Sequence, residues 1–259
     1  ERWPRHGHLF LRAPARSRGS RSLRVGLDSG SMTTTDRDAI AILGGTGDQG
    51  LGLALRFAKA GRRVVIGSRK ADRAVAAAEE VRQAIPGAEV SGHENSEAAV
   101  QAPIVILSVP FEHTAGTVKA IKEVLAEDQI LVSMAVPLAT AVGDGAVRTV
   151  GIWQGSAAEL VQSLVPAGVH VISAFQNVSA HRLRDLGEPV ECDVVVSGKK
   201  APRARIMELC QLIPGLRGVN GGPLGNARIV EEMTALLIGM NMRYKLPDGL
   251  GIRFTGLPE

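Results

Sequence analysis

The glycine-rich turn at residues 44–50 constrains this chain more than any other stretch. It reads GGTGDQG, follows an apolar run at 39–43 and precedes a helical pattern over about 49–60. A second apolar run at 64–66 completes a strand–helix–strand unit. A G-x-G-x-x-G turn in this context is typical of dinucleotide binding, whereas the six-residue pattern alone also occurs in turns that bind no ligand.

Each glycine of this turn has its own predicted task. Gly45 permits the tight turn, Gly47 lets the backbone approach a pyrophosphate, and Gly50 allows the helix to pack closely on the strand. The first turn of the helix then presents backbone N–H groups and a partial positive charge. We therefore predict that phosphate groups bind here.

The end of the second strand indicates which nucleotide binds. NAD sites usually place an acid about 20 residues after the turn, where it binds the ribose 2′-hydroxyl. Here Ser68, Arg69 and Lys70 fill that place, and Arg73 follows one turn later. A guanidinium and a hydroxyl bind a 2′-phosphate, so we predict a preference for NADP of roughly ten- to a hundredfold. The alternative is a basic surface loop.

Composition excludes several classes of protein. Hydrophobic residues make up 45% of the 259 residues and aromatic residues only 3%, which suits packed α/β layers and not base stacking on aromatic rings. The net charge of +4 comes from residues 1–31, which hold seven arginines and two acids. The remainder has 23 basic and 24 acidic residues. We therefore expect neither a nucleic-acid partner nor a membrane partner.

Cysteine and histidine give no sign of metal chemistry. The two cysteines have no pairing pattern and the six histidines form no ligand cluster, so we expect no metal site and a reducing, cytoplasmic location. The most apolar run, 98–111, is too short to span a bilayer.

Strands alternate with helices along most of the chain, which predicts an α/β fold with a doubly wound, parallel, Rossmann-type sheet. We expect residues 1–37 to be a disordered extension, either upstream sequence or a cloning remnant rather than a targeting signal. Residues 38–198 are the predicted nucleotide-binding domain, and 199–259 a smaller, mainly helical domain. The long apolar pattern at 224–242 predicts a largely buried helix, partly against another subunit.

Ligands of such sheets bind at the carboxyl ends of the strands. This rule places Val109, His113 and Val136 along the cofactor groove, although His113 could equally be a surface histidine at a helix start. Polar residues at 176–179 follow another strand end, where they could face a ligand or form a polar turn.

The chain resembles a known family, the NADPH-dependent reductases of the deazaflavin coenzyme F-420. The resemblance covers 40–254 and depends on the motifs GGTGDQGLGLALR, VVIGSR, SVPFEH, GSAAE, GPLGNARIVE and GLGIRF. It implies direct hydride exchange between nicotinamide C4 and deazaflavin C5, with NADP and coenzyme F-420 as the reacting pair. It also implies a homodimer. Since hydride moves from carbon to carbon, we expect no catalytic acid, base or nucleophile.

The resemblance also implies cofactor contacts residue by residue. For NADP these are Thr46, Gly47, Asp48, Gln49, Ser68, Arg69 and Arg73. Beside the cofactor it places Val109, His113, Val136 and Ala180, and against the deazaflavin Leu250. This chain departs from its relatives at Gln176 and Asn177, where they carry His and often Thr, and at Ser179, where they carry Pro. The deazaflavin pocket, with Gln176 and Asn177 as candidate contacts, is therefore less securely predicted than the NADP site.

Other functions share the first half of the pattern. An imine reductase acting on a pyrroline acid would need a carboxylate-binding site on its C-terminal helices, and the apolar stretch 235–240 offers little of this. A flavin-using metal-ion reductase is a second enzyme alternative. A non-catalytic NADP sensor would have no evident use for the glycine-rich end of the chain.

Overall fold

A computed structural model of the protein describes residues 39–257. The prediction of a disordered extension at 1–37 falls outside this range. The described chain forms, in order, β1 Ile40–Leu43, α1 Asp48–Lys59, β2 Val64–Ser68, α2 Ala71–Ala84, β3 Val90–Glu94, α3 Asn95–Ala99, β4 Ile104–Leu107, α4 Phe111–Ile121, β5 Ile130–Ser133, α5 Ala157–Leu164, β6 His170–Ser173, α6 Ala180–Arg184, β7 Cys192–Gly198, α7 Lys200–Cys210, β8 Leu216–Asn220 and α8 Ala227–Tyr244. Short 3-10 helices lie at Lys122–Val124, Ala139–Val142 and Leu224–Asn226.

The strands form one sheet in the order β3-β2-β1-β4-β5-β6-β7-β8. Neighbours from β3 to β6 run parallel, and the order reverses direction at β1, which pairs with both β2 and β4. The predicted doubly wound α/β fold is therefore confirmed. The gap beside β1 is the point at which such sheets bind their ligands.

One strand pair departs from the parallel prediction, because β6 and β7 are antiparallel. The only helix between them, α6, has five residues. At 1.5 Å per residue it is too short to carry the chain back along the sheet, so β7 starts at the edge where β6 ends.

Helices cover both faces of the sheet. Ile40 and Ile42 of β1 face one buried cluster with α1, α2 and α7, while Ala41 and Leu43 face a second with α3, α4 and α5. This alternation is the two-residue period of a strand buried on both sides. The layers hold the carboxyl ends of the strands at one edge, where the glycine-rich turn lies.

The C-terminal part differs from the sequence-based expectation in two ways. The expected boundary at 198/199 falls inside the sheet, because β8 follows it and pairs with β7. Helix α8 is not largely buried within one chain: Ile229, Leu236 and Met242 are 56%, 63% and 68% exposed. The apolar residues of α8 lie on all sides of the helix, but the rest of the same chain packs against only one of those sides.

Candidate active site

A groove of three adjoining cavities crosses the carboxyl edge of the sheet. The phosphate pocket, about 320 Å³, lies beside β2, and the central pocket, about 390 Å³, lies over β4 and β5. The tail pocket, about 300 Å³, lies between α8 and the C-terminal tail. Gly47 and Val109 line both of the first two cavities, and Gln176 and Thr234 line both of the last two. The groove therefore brings together the predicted NADP residues and the predicted deazaflavin residues.

The tight turn requires glycine at Gly44 as well as at Gly45, the position that the sequence indicated. Gly44 has φ +75°, a left-handed conformation that favours glycine. A Cβ on Gly44 would lie 2.4 Å from the backbone oxygen of Ser108, and one on Gly45 would lie 2.9 Å from that of Ile42. Close approach of the backbone, and not only φ, therefore selects glycine at both positions.

The other two glycines of the turn, Gly47 and Gly50, differ in how closely the rest of the chain approaches them. A Cβ on Gly50 would lie 2.8 Å from the Cα of Gly45, which confirms that the helix packs tightly against the turn. The nearest atom to a Cβ on Gly47 is 3.6 Å away, so the chain itself leaves room there. Gly47 begins α1 with no side-chain cap and lines the groove, so the first-turn N–H groups are placed to bind an anion.

The phosphate pocket is basic. Ser68, the last residue of β2, is 7% exposed, and Arg69, Lys70 and Arg73 line the same cavity, to which Thr46 also contributes. No Asp or Glu lines it, and within residues 39–257 neither Arg69 nor Arg73 has an ion-pair partner. The cationic groups are thus available to an anionic ligand.

Further polar residues of this pocket were not predicted. Asn95 and Thr117 line it, and the side-chain oxygen of Asn95 is buried without a hydrogen-bond partner. Asn95 lies at the start of α3, after β3, where a short polar helix start gave no distinctive signal. His113 lies in the first turn of α4 and lines the pocket with an exposed side chain.

Asp48 and Gln49 line the central pocket together with Val109 and Val136. The Asp48 carboxylate pairs with Arg184 of α6, with Oδ1 and Nη1 3.0 Å apart. The Gln49 amide points towards the loop after β6 and donates to the backbone oxygens of Phe175, at 3.0 Å, and Val178, at 3.2 Å. Both side chains are therefore engaged within the chain, although both residues border the groove.

The loop 175–178 joins the central and tail pockets. Phe175 has φ +69°, a conformation that costs a non-glycine residue about 1–3 kcal/mol, and its buried ring packs edge-on against Phe57. The Gln176 amide donates to Ser173 Oγ at 2.6 Å, which leaves its oxygen buried and unpaired. Asn177 has an equally buried, unpaired amide nitrogen. Both residues line the tail pocket, and these two polar atoms lie buried behind its surface.

The tail pocket has a mainly apolar wall. Its lining includes Val178, Ala180, Leu237, Ile238, Leu246, Pro247 and Leu250. Ser179 caps α6 and donates its hydroxyl to the backbone oxygen of Asp248 at 2.6 Å. The Ser179 hydroxyl thus holds the tail over the pocket.

A buried carboxylate anchors the end of the tail. Asp193 of β7 accepts two hydrogen bonds from Arg217, at 2.9 and 2.7 Å, one from Arg253 at 2.9 Å and one from the Phe254 N–H at 2.7 Å. Burial alone would raise the pKa of this carboxyl, but these donors lower it to about 2. The GLGIRF motif therefore binds the tail to the sheet, and Leu250 lies just before this anchor.

Helix α8 supplies site residues that the sequence analysis missed. Thr234, Ile238 and Asn241 line the groove from one face of the helix, and Asn241 Oδ1 accepts from the Leu250 N–H at 2.8 Å. Their spacing of four and three residues is that of a helix face, and two polar residues in an apolar helix were the available signal.

The described residues hold neither a metal-binding cluster nor a membrane-spanning helix. No group of three or more His, Cys, Asp or Glu side chains between 39 and 257 is placed to hold a metal ion. None of the helices in that range combines the length and the apolar character needed to cross a membrane.

Comparison with known proteins agrees with this geometry. Residues 39–137 match the family model "NADP oxidoreductase coenzyme F420-dependent". A protein of Methanocaldococcus jannaschii named "F420-dependent NADP reductase" is 45% identical over 223 residues, which are 84% of this chain and 98% of that protein. One of Methanothermobacter thermautotrophicus with the same name is 43% identical, over 85% of this chain and 96% of its own.

A solved structure supports the fold. A crystal structure of an Arthrobacter protein described as an F420-dependent NADP reductase superposes with a TM-score of 0.70 at 23% identity, over 84% of this chain and all of that one. The glycine-rich turn, the basic pocket and the full-length match to the two archaeal enzymes lead to one conclusion: this chain belongs to the family of F420-dependent NADP reductases.

Proposed function

We propose that this protein is an oxidoreductase that transfers a hydride directly between NADP(H) and the deazaflavin coenzyme F-420. The observation that carries the proposal is the continuous groove, which leads from a basic, acid-free pocket to an apolar pocket under the C-terminal tail. Bound together, the two coenzymes supply the chemistry, with nicotinamide C4 and deazaflavin C5 as the exchanging carbons. The protein has to bind both coenzymes, orient their rings towards each other and exclude water from the groove.

The phosphate pocket fits a 2′-phosphorylated nucleotide. Ser68 offers a hydroxyl, and between residues 39 and 257 the Arg69 and Arg73 guanidinium groups have no ion-pair partner and no carboxylate lines the pocket to repel a phosphate. The uncapped start of α1 at Gly47 would hold the pyrophosphate. Val109 and Val136 would form apolar walls beside the nicotinamide end.

The tail pocket fits a flat aromatic ring. Leu250, Val178 and Ala180 provide apolar contacts, while the amide side chains of Gln176 and Asn177 are the polar groups that we propose for the polar edge of a ring system. The tail pocket adjoins the central pocket at Gln176, so a ring held in the tail pocket would lie next to a ring held in the central pocket. Residues 199–259 act as the segment that completes this pocket.

The alternatives lack support at the site. A reductase of pyrroline acids needs a cation for the substrate carboxylate, and no lysine or arginine of the described chain lines the tail pocket. A pure NADP sensor has no need for a second pocket with an anchored tail.

We also propose a cytoplasmic homodimer with no nucleic-acid partner. Ile229, Leu236 and Met242 expose apolar surface along α8, which a second copy of the chain would cover. Residues 32–259 hold 23 basic and 24 acidic residues, a balance that gives no net attraction for nucleic acid.

The reaction is tested by mixing the purified protein with oxidised coenzyme F-420 and NADPH and following the visible absorbance of the deazaflavin. The proposal expects bleaching with NADPH and at least tenfold slower bleaching with NADH. Tight NADPH binding without bleaching would refute the enzyme assignment, whereas equal rates with NADH would refute only the 2′-phosphate argument.

A further inference from the structure

Gln49 connects the two ends of the groove. It belongs to the first turn of α1, the helix start that would bind the pyrophosphate, yet its amide nitrogen donates to the backbone oxygens of Phe175 and Val178. These oxygens mark the two ends of the loop 175–178, which is 126 residues away in sequence. One amide therefore holds the loop of the deazaflavin pocket against the NADP-binding helix.

The loop 175–178 is buried, and other contacts also hold it, among them hydrogen bonds from Gln176 to Ser133 and Ser173 and one from Cys192 to Asn177. Phe175 adopts a left-handed conformation with φ +69°, which a phenylalanine rarely adopts unless its surroundings hold it there. Two residues of α1 supply that restraint, Phe57 through its ring and Gln49 through its amide. Between the two restrained ends lie Gln176 and Asn177, which line the tail pocket and each carry a buried polar atom without a hydrogen-bond partner among the described residues.

We propose that Gln49 is a positioning residue for the deazaflavin, acting through the loop 175–178, although it lies in the NADP-binding motif. The inference rests on the proposed function. Removing the amide frees both carbonyls and lets the loop relax from the strained conformation, so Gln176, Asn177 and Val178 lose their fixed places. The basic side of the phosphate pocket, formed by Ser68 at the end of β2 and by Arg69, Lys70 and Arg73 after it, keeps its geometry.

The test compares Gln49→Met, which keeps the length but has no donor, with Gln49→Asn, whose amide is one methylene too short to reach. Gln83→Met, on the exposed face of α2, is the matched control. In hydrogen–deuterium exchange of the NADPH-free proteins, we expect amides of 175–183 to exchange about tenfold faster in both Gln49 variants. Amides of 64–81 are expected to exchange as in the wild type.

The kinetic comparison uses the same variants. The KM for coenzyme F-420 is expected to rise about tenfold while the KM for NADPH changes less than twofold, and the control variant is expected to match the wild type. The inference is overturned by unchanged exchange at 175–183, by exchange that accelerates uniformly along the chain, or by a rise confined to the NADPH KM. If the wild type does not reduce coenzyme F-420, the proposed function fails, and the exchange comparison still decides the role of Gln49.

Discussion

The Asp193 carboxylate and the Arg253 guanidinium lie 2.9 Å apart, across 60 residues of sequence, and join the C-terminal tail to β7. Arg217 and the Phe254 N–H bind the same carboxylate. This contact holds the tail in the conformation that places Leu250 at the tail pocket. An apparently flexible, glycine-rich end is thereby made a fixed wall of the site.

Asp193→Asn is expected to release the tail. The variant removes the charge that pairs with Arg217 and Arg253 and turns one acceptor into a donor, at a cost of about 3 kcal/mol in unfolding free energy. The KM for coenzyme F-420 should rise at least tenfold while NADPH binding is retained, as measured by steady-state kinetics and urea unfolding. An unchanged KM for coenzyme F-420 would contradict the anchoring role.

The Asp193 carboxylate is expected to make the free energy of unfolding depend on pH in the acidic range. Its folded pKa of about 2 lies below the ordinary value of 3.8. A depressed pKa means that its contribution is complete above about pH 4 and is lost as the pH falls towards 2. Asp193→Asn should therefore lose less stability than the wild type between these pH values.

Arg69→Ala is expected to weaken NADPH binding selectively. Loss of one charge-assisted hydrogen bond to a 2′-phosphate costs about 1.5–3 kcal/mol, so the KM for NADPH should rise roughly ten- to a hundredfold with little change for NADH. Lys119→Ala, an exposed cation on α4, serves as the control. Equal effects on NADPH and NADH would show that Arg69 does not contact the 2′-phosphate.

Through Glu231, the free energy of unfolding is expected to change with pH in the opposite direction from its change through Asp193. Its buried carboxylate on α8 accepts from the N–H groups of Ala157, at 2.8 Å, and Ala158, at 3.1 Å, at the start of α5. Burial, helped by the nearby charges of Glu159 and Glu232, raises its pKa from 4.5 to about 7 despite these hydrogen bonds. The folded protein thus holds a proton that the unfolded chain releases, and stability falls as the pH rises from about 4.5 to 7.

Glu231→Gln isolates this effect. Since the amide does not titrate, the variant should lack the decline in unfolding free energy that the wild type shows between pH 5 and pH 8. Urea unfolding at both pH values measures the difference. If both proteins lose stability equally over this range, the decline has another origin.

The sequence predicted the parts of the site that depend on local pattern. The turn at 44–50, the end of β2 at Ser68 and the strand ends at Val109 and Val136 all lie along one groove, because a parallel sheet collects its carboxyl ends at one edge. The additional requirement for glycine at Gly44 was not predicted, because the motif identifies glycines by spacing whereas the positive φ depends on the path of the backbone.

What could not be predicted depends on contacts distant in sequence. Arg56 of α1 is buried and donates to the backbone oxygens of Leu183, Arg182 and Glu188, which the local sequence around it does not indicate. The five-residue helix α6 that it holds is too short for a periodic signal. Likewise, the pairing of Gln49 with the loop 175–178 exists only after β6 has been placed beside β5.

The exposed face of α8 makes the proposed dimer testable. Leu236→Glu places a charge at a residue that is 63% exposed in one chain and that a second copy would bury. Light scattering after size exclusion should give twice the chain mass of 27.2 kDa for the wild type and a lower mass for the variant. Val75→Glu, on the exposed face of α2, is the control, and a monomeric wild type would refute the dimer.

The central claim is that the hydride crosses directly from one coenzyme to the other within the groove. The most direct measurement uses NADPH that carries deuterium at both C4 positions, reacted with oxidised coenzyme F-420 and analysed by mass spectrometry. The account predicts one deuterium in each reduced deazaflavin, retained in ordinary water. Reduced deazaflavin without deuterium would show that the hydrogen passes through an exchangeable group of the protein, and would contradict direct transfer.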